Sequence, residues 1–446
     1  MSNNIDLKKG LNIPLKGSAE LKVSKVVAPG IVAVCPSDFK GLNPRLLVRE
    51  GDAVLAGSPV LADKKNPDIL VTSPVSGTVK EVVRGDKRKL LAVLVEAGAE
   101  QEYADFGAAK ADGLSAEQVR TKLLSSGLWA SLIQRPYGII ADPALKPKAI
   151  FVSAFNTAPL AADTEFVLAG ELEAVQEGVN ALAKLTDGGV HVSLDGKNYS
   201  SSPLHKLEKA VLHTFTGKHP AGNVGVQISH ISPIRKDETV WTISPVLLAA
   251  VGKLFLKGKV DLTRKVAVTG PAAEAPAYVQ ALPGTPMQSI AAAGEGVRVI
   301  SGDVLTGKKA DYLGFQDNQV TLIKEGTEKE LLGWARPLRL GQYSSTMSYF
   351  SWLLPKKQYE MDTNLHGGPR AFIMNDDYYK KVLPMDIYPL YLTKACLAGD
   401  IDKMEKFGIY EVLPEDLATC EFVDPSKNNI QEMIAEGIDL MLKEMA

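Results

Sequence analysis

From about residue 23 to residue 95, apolar and polar residues alternate in short runs. The runs are broken by the turn formers Glu50-Gly51-Asp52, Ala56-Gly57-Ser58-Pro59, Asn66-Pro67-Asp68 and Ser76-Gly77. A period of two sends successive side chains to opposite faces of a strand, so this stretch predicts a compact all-β unit. Between 104 and 251 the pattern changes. A helical stretch at 115–125 alternates with apolar strand-like runs at 149–154 and 189–194, which predicts α/β layering. Short strand-like segments return at 265–269, 297–301 and 319–324 between glycine and proline turns, and predict a small α+β unit. At the C-terminus Ile430, Met433, Ile434, Ile438, Met441 and Leu442 keep one helical face apolar, with Asn428 and Gln431 spaced as a capping box.

A chain of 446 residues exceeds one ordinary core, because domains run at about 100–200 residues. The pattern divides it into 1–103, carrying the all-β unit at about 23–97, then 104–256, 257–330 and a mainly helical 331–446. Apolar residues make up 45% and charged residues 23%, the mixture of a folded multidomain protein. Fifty basic and 52 acidic side chains give a net charge of −2, so no bulk field draws nucleic acid. The N-terminal residues are charged where a secretory signal needs its apolar stretch, which predicts a protein that stays inside the cell. A membrane-spanning helix needs about 20 mostly apolar residues; the longest uncharged run, 275–294, holds Pro276, Pro283 and Pro286. No span is expected, and ion transport would fall to partners.

Motifs for chemistry are sparse. Neither Gly-x-Gly-x-x-Gly nor a P-loop is present, and no Gly-x-Ser-x-Gly elbow supports a hydrolase. The six histidines lack metal-ligand spacing, and the three cysteines, Cys35, Cys396 and Cys420, are far apart. His219, in "GKHPAGNVG", is either a loop histidine or a polar contact to a quinone head group or another protein chain, since imidazole donates to carbonyl oxygens near neutral pH. Trp129, Arg135 and Tyr137, in "SGLWASLIQRPYG", either pack a helix or line a flat ligand's pocket.

Longer stretches carry a resemblance. "VREGDAVLAGSPVLAD" and "VTSPVSGTVKEV" are similar to the two halves of a biotinyl/lipoyl-type barrel-sandwich hybrid, with Lys64 and Lys65 near the carrier position but without the methionines that flank a modified lysine. "KKGLNIPLKG", "DKKNPDILVTSPVSGTV", "AIFVSAFNTAPLAAD", "GKHPAG", "VRVISGDVLTG" and "LPMDIYPLYL" together resemble the A-type subunits of the sodium-translocating NADH:quinone oxidoreductases (Na+-NQR). More distantly they resemble the C-type subunits of Rnf complexes and the flavin-carrying subunit of complex I.

That resemblance implies a barrel-sandwich hybrid, a complex I flavin-subunit-like α/β domain, a β-grasp soluble-ligand-binding module and a degenerate ferredoxin-like helical region. It implies a peripheral subunit on the cytoplasmic side of the bacterial inner membrane, in a complex using FMN, FAD, riboflavin, iron–sulfur centres, NADH and ubiquinone. The membrane quinone-site subunit is the expected neighbour, and ubiquinone a second partner. Bulky Leu128, Trp129 and Leu132 stand where relatives carry a glycine-rich phosphate loop, and Cys396 and Cys420 are fewer than the four thiolates a cluster needs. The chain is therefore expected to hold no cofactor and to lack catalysis of its own. The alternatives are a stand-alone ligand-binding protein and an Rnf-type electron-transfer subunit.

Overall fold

The computed structural model describes residues 3–28, 30–327, 339–345, 350–364, 366 and 374–444. The chain opens on two strands, β1 (Asn3–Leu7) and β2 (Glu20–Val26), that leave the all-β unit and complete sheets elsewhere. The unit itself comprises β3 (Ile31–Val34), β4 (Pro44–Leu46), β5 (Ala53–Val54), β6 (Pro59–Asp63), β7 (Leu70–Thr72), β8 (Gly77–Arg84) and β9 (Leu90–Ala97). They form two sheets, ordered β3-β9-β8-β5 and β4-β6-β7. Alternation places Val32, Val34, Val60, Val71, Val79, Val93 and Val95 in the core. Lys64 and Lys65 lie exposed on the turn between β6 and β7.

The second unit follows with α1 (Ala116–Ser125), β10 (Ile133–Arg135), β11 (Ile139–Ile140), β12 (Ile150–Ser153), α2 (Thr164–Leu168), α3 (Leu172–Leu182), β13 (Val190–Asp195), β14 (Ala210–Gly217), α4 (Val224–Ile231), β15 (Val240–Thr242) and α5 (Pro245–Lys257). Its seven-stranded sheet runs β1-β14-β13-β12-β15-β10-β11. β1, β14, β13, β12 and β15 are parallel, while β10 and β11 close the edge antiparallel. β12 (Ile150–Ser153) and β15 (Val240–Thr242), inside the sheet, are buried on both faces, which explains their short apolar runs. α3 and α5 cover one face and pack on each other. A Cβ on Gly252 of α5 would stand 1.7 Å from the Ala174 carbonyl oxygen, and one on Gly178 of α3 would stand 2.3 Å from that of Leu248. α4 packs Ile228 against Phe151 on the other face.

The third unit contains β16 (Arg264–Thr269), β17 (Ala277–Ala281), α6 (Met287–Ile290), β18 (Val297–Ser301), β19 (Lys308–Lys309) and β20 (Gln319–Lys324). Its sheet, β19-β18-β20-β16-β17-β2, is mixed, and β2 pairs parallel to β17. The last unit is helical: α7 (Asp376–Val382), α8 (Pro389–Ala398), α9 (Ile401–Phe407), α10 (Ala418–Val423) and α11 (Ile430–Glu444). Ile430, Ile434, Ile438 and Met441 of α11 are buried, as their spacing requires. The start of α11 differs from the expected box. Gln431 donates its backbone N–H to Glu421 at 2.8 Å and its side-chain amide to the Leu305 carbonyl at 3.0 Å, so it links two units instead. No helix among the described residues is long and apolar enough to cross a membrane.

The α3–α5 contact has a direct test. Gly252→Ala is expected to lower the unfolding free energy by about 3 kcal/mol, because backbone must move to admit one methyl group. Urea unfolding followed by circular dichroism measures this, and an unchanged midpoint would remove the contact's importance.

Candidate functional site

In an open α/β sheet, ligands gather beyond the carboxyl ends of the strands where the strand order reverses. Here the chain passes from β12 to β13 and β14 on one side, then returns to β15 on the other side of β12. A cavity of about 310 Å³ opens at that point, within the size range of small-molecule sites. Ser153 ends β12 and lines it; Thr242, Ile243 and Ser244 do so from the end of β15. Ser244 caps α5, its hydroxyl accepting the Leu247 N–H at 3.3 Å, so the positive end of that helix faces the same region. The third unit adds Asp303, Thr306, Gln316 and Asn318, and the helical unit adds Glu415.

His219 lines the cavity and is 3% exposed. Its backbone N–H donates to Asn12 Oδ1 at 3.1 Å, and its carbonyl accepts the Leu11 N–H at 2.8 Å, so the chain's N-terminal segment fixes the loop. Its Nδ1 lies 3.2 Å from Thr157 Oγ1. That oxygen already accepts the Gly222 N–H at 2.8 Å, so the hydroxyl hydrogen is free to point at Nδ1 and leave the ring proton on Nε2. Nε2 is buried without a hydrogen-bond partner among the described residues, and so is Nε2 of Gln316. Burial holds the His219 pKa down at about 4, only partly offset by Asp303 and Asp416, so the ring is neutral at pH 7.

The other three residues singled out by sequence do not line this cavity, and each has its own partners within the fold. Arg135, at the end of β10, is 2% exposed and reaches out of its own unit. Nη1 donates to Asp416 at 2.8 Å and Nη2 to Glu415 at 2.7 Å, while Asp416 is 0% exposed. Gly225 of α4 makes room: a Cβ there would sit 2.3 Å from Arg135 Nη1 and 2.2 Å from Asp416 Oδ2. Tyr137 is half-buried at φ +84° and stands edge-on to Tyr410, ring centroids 6.4 Å apart. Trp129 is fully buried, donates Nε1–H to the Ala141 carbonyl at 2.7 Å and meets Trp241 edge-on at 5.2 Å.

The segment around Trp129 does not offer a phosphate cradle. Residues Leu128, Trp129, Ala130 and Ser131 form a buried 3₁₀ turn. The backbone N–H groups of Leu128, Ala130 and Leu132 donate to Ser126 Oγ, the Gly127 carbonyl and the Trp129 carbonyl, leaving none of these three for a ligand. Cys396 and Cys420 both belong to the helical unit's core, where burial pushes the Cys396 thiol up to about 12 and the Cys420 thiol higher still. Among the described residues no group of three or more His, Cys, Asp or Glu side chains is placed to hold a metal ion.

Sequence reasoning reached His219 but missed Ser153, Ser244 and Gln316. Ser244-Pro245 was readable as a helix start after an apolar strand; Gln316 carries no local signal.

Two outcomes follow from this geometry. Arg135→Met is expected to cost about 3–5 kcal/mol of stability, because it strands the Asp416 carboxylate in the interior, and Arg135→Met/Asp416→Leu should recover part of that loss in urea unfolding. Lowering the His219 pKa from 6.5 to about 4 means the folded state binds fewer protons than the unfolded chain. Its contribution is present above pH 6.5 and is lost as the pH falls toward 4, by roughly 3 kcal/mol in all. His219→Gln should therefore flatten the decline in urea midpoint over that interval.

Comparison with known proteins covers most of the chain. Residues 5–98 match the NqrA N-terminal barrel-sandwich hybrid domain, 114–260 the NqrA second alpha/beta domain and 265–311 the NQRA C-terminal domain. The chain is 37% identical to the A-type subunit of the Na(+)-translocating NADH-quinone reductase of Yersinia pestis bv. Antiqua (strain Angola) over 433 residues, 95% of this chain and 96% of that one. It is 36% identical to the same protein of Vibrio parahaemolyticus serotype O3:K6 (strain RIMD 2210633), covering 99% of this chain and 100% of the relative. Among solved structures, a crystal structure of NAD+-reducing [NiFe]-hydrogenase in the air-oxidized state is similar at TM-score 0.33 and 13% identity, over 49% of this chain and 48% of that one, a likeness too slight to carry weight. At this identity over nearly the whole length, the chain belongs to the NqrA family, the A-type subunits of the Na(+)-translocating NADH-quinone reductases.

Proposed function

We propose that this chain is the peripheral, cytoplasmic-side subunit of a Na+-translocating NADH-quinone reductase, and that it offers the quinone ring a contact site instead of carrying a flavin or iron–sulfur centre. NADH oxidation and sodium movement then fall to other subunits. The observation that carries the quinone reading is that His219 and Gln316 line one cavity, each with a buried Nε2 that has no hydrogen-bond partner among the described residues. An unpaired buried donor costs free energy until an acceptor arrives, and a quinone presents two carbonyl acceptors on a flat ring. The neutral imidazole donates a hydrogen bond without giving up its proton. Arg135 serves this site by holding Glu415 at the cavity wall, while Trp129 and Tyr137 flank β10, whose Ile133 lines it. The filled turn at Trp129 supports the absence of a resident flavin at that position.

Photolabelling of the assembled complex with a reactive ubiquinone analogue tests the reading. Label is expected on peptides containing His219 or Gln316, and His219→Ala/Gln316→Leu should weaken quinone protection about 10–100-fold. Label confined to other subunits would overturn it.

A further inference from the structure

Residues 350–358 form a loop that is held firmly at both ends and turns its apolar side chains outward. At one end Ser351 is buried; its hydroxyl accepts the Ser344 N–H at 3.1 Å and donates to the Ser344 carbonyl at 3.3 Å. At the other end Tyr359 is 2% exposed, bridges Leu15 and donates its N–H to the Pro14 carbonyl at 2.7 Å. Between these anchors Trp352, Leu353 and Leu354 are 51%, 53% and 41% exposed, and Phe350, just before Ser351, is 42% exposed. Lys357 Nζ donates to the carbonyl of Leu340, a further exposed leucine, at 2.8 Å and so draws it to the same patch.

A flexible tail can expose such residues at little cost, but a pinned loop that keeps tryptophan and leucines in water forgoes their burial. The charges beside them are positive. Lys356 and Lys357 follow directly, and Glu360, the sole acidic residue in 350–360, is neutralised by Lys16 at 2.8 Å. Tryptophan and leucine beside lysine is the composition that settles at a bilayer interface: the apolar groups enter the headgroup boundary while the lysines meet anionic lipid.

We propose that this loop docks the chain on an anionic lipid surface, with Trp352 and Leu353 entering the boundary and Lys356 and Lys357 meeting the headgroups. It is separate from the cavity and does not depend on the quinone reading.

The full-length chain, sedimented with vesicles of roughly 7:3 phosphatidylcholine to phosphatidylglycerol, is expected to bind at least ~5-fold more tightly than to phosphatidylcholine alone. Leu353→Ser/Leu354→Ser should weaken binding about 10-fold or more, and Lys356→Gln about 5-fold, with circular dichroism unchanged because these side chains are exposed. The chain's four tryptophans are Trp129, Trp241, Trp334 and Trp352, and the first two are fully buried, so in a Trp334→Phe background a vesicle-induced blue shift of tryptophan emission should vanish on adding Trp352→Phe while sedimentation persists. Failure to sediment with either vesicle would overturn the proposal. So would undiminished binding of the leucine variant, or association only with membranes that contain protein, which would assign the loop to a membrane protein partner.

Discussion

The arrangement of this molecule turns on a guanidinium taken out of water. Arg135 sits at the edge strand of one unit, and the carboxylates that compensate it belong to another. A buried charge is tolerated only when its partners are held in place, so Asp416 cannot stray without leaving Arg135 stranded. The missing side chain at Gly225 is what lets α4 lie over this pair. Together with the apolar core in which Leu7, Phe215 and Val226 meet the helical unit, the ion pairs of Arg135 tie that unit to the parallel sheet, and Glu415, next in sequence to Asp416, lines the cavity.

The cavity is therefore a product of assembly within one chain. The parallel sheet supplies the reversal of strand order, α5 supplies its capped N-terminus, and the third and fourth units close the sides. The N-terminal segment contributes too, gripping the backbone of His219 from residues Leu11 and Asn12. His219 and Gln316 come from different units, nearly a hundred residues apart, yet both line one cavity, and each has a buried nitrogen without a partner among the described residues. Their pairing is what the proposed quinone contact rests on.

Much of the architecture was legible along the chain. The alternating valines of the all-β unit, the apolar runs of β12 and β13 and the apolar face of α11 all record burial in a period of two or 3.6 residues. The long resemblance pointed to the family before any fold was in view. Local signals failed where a residue answers to a distant neighbour. Gln431 looks like half of a capping box, yet its side chain serves the Leu305 carbonyl in another unit. β1 and β2 read as part of an N-terminal region, but each completes a sheet formed by later residues.

By itself, then, the sequence determined the kinds of elements, their order, the family, and the suspicion attached to His219, because periodicity, turn chemistry and motif content are properties of neighbouring residues. Only the tertiary structure decided that Arg135 is an internal tie, that Trp129 fills a core turn, and that His219 shares a cavity with Gln316. Those outcomes depend on which charges and donors find partners when remote segments meet, and no local pattern encodes that pairing.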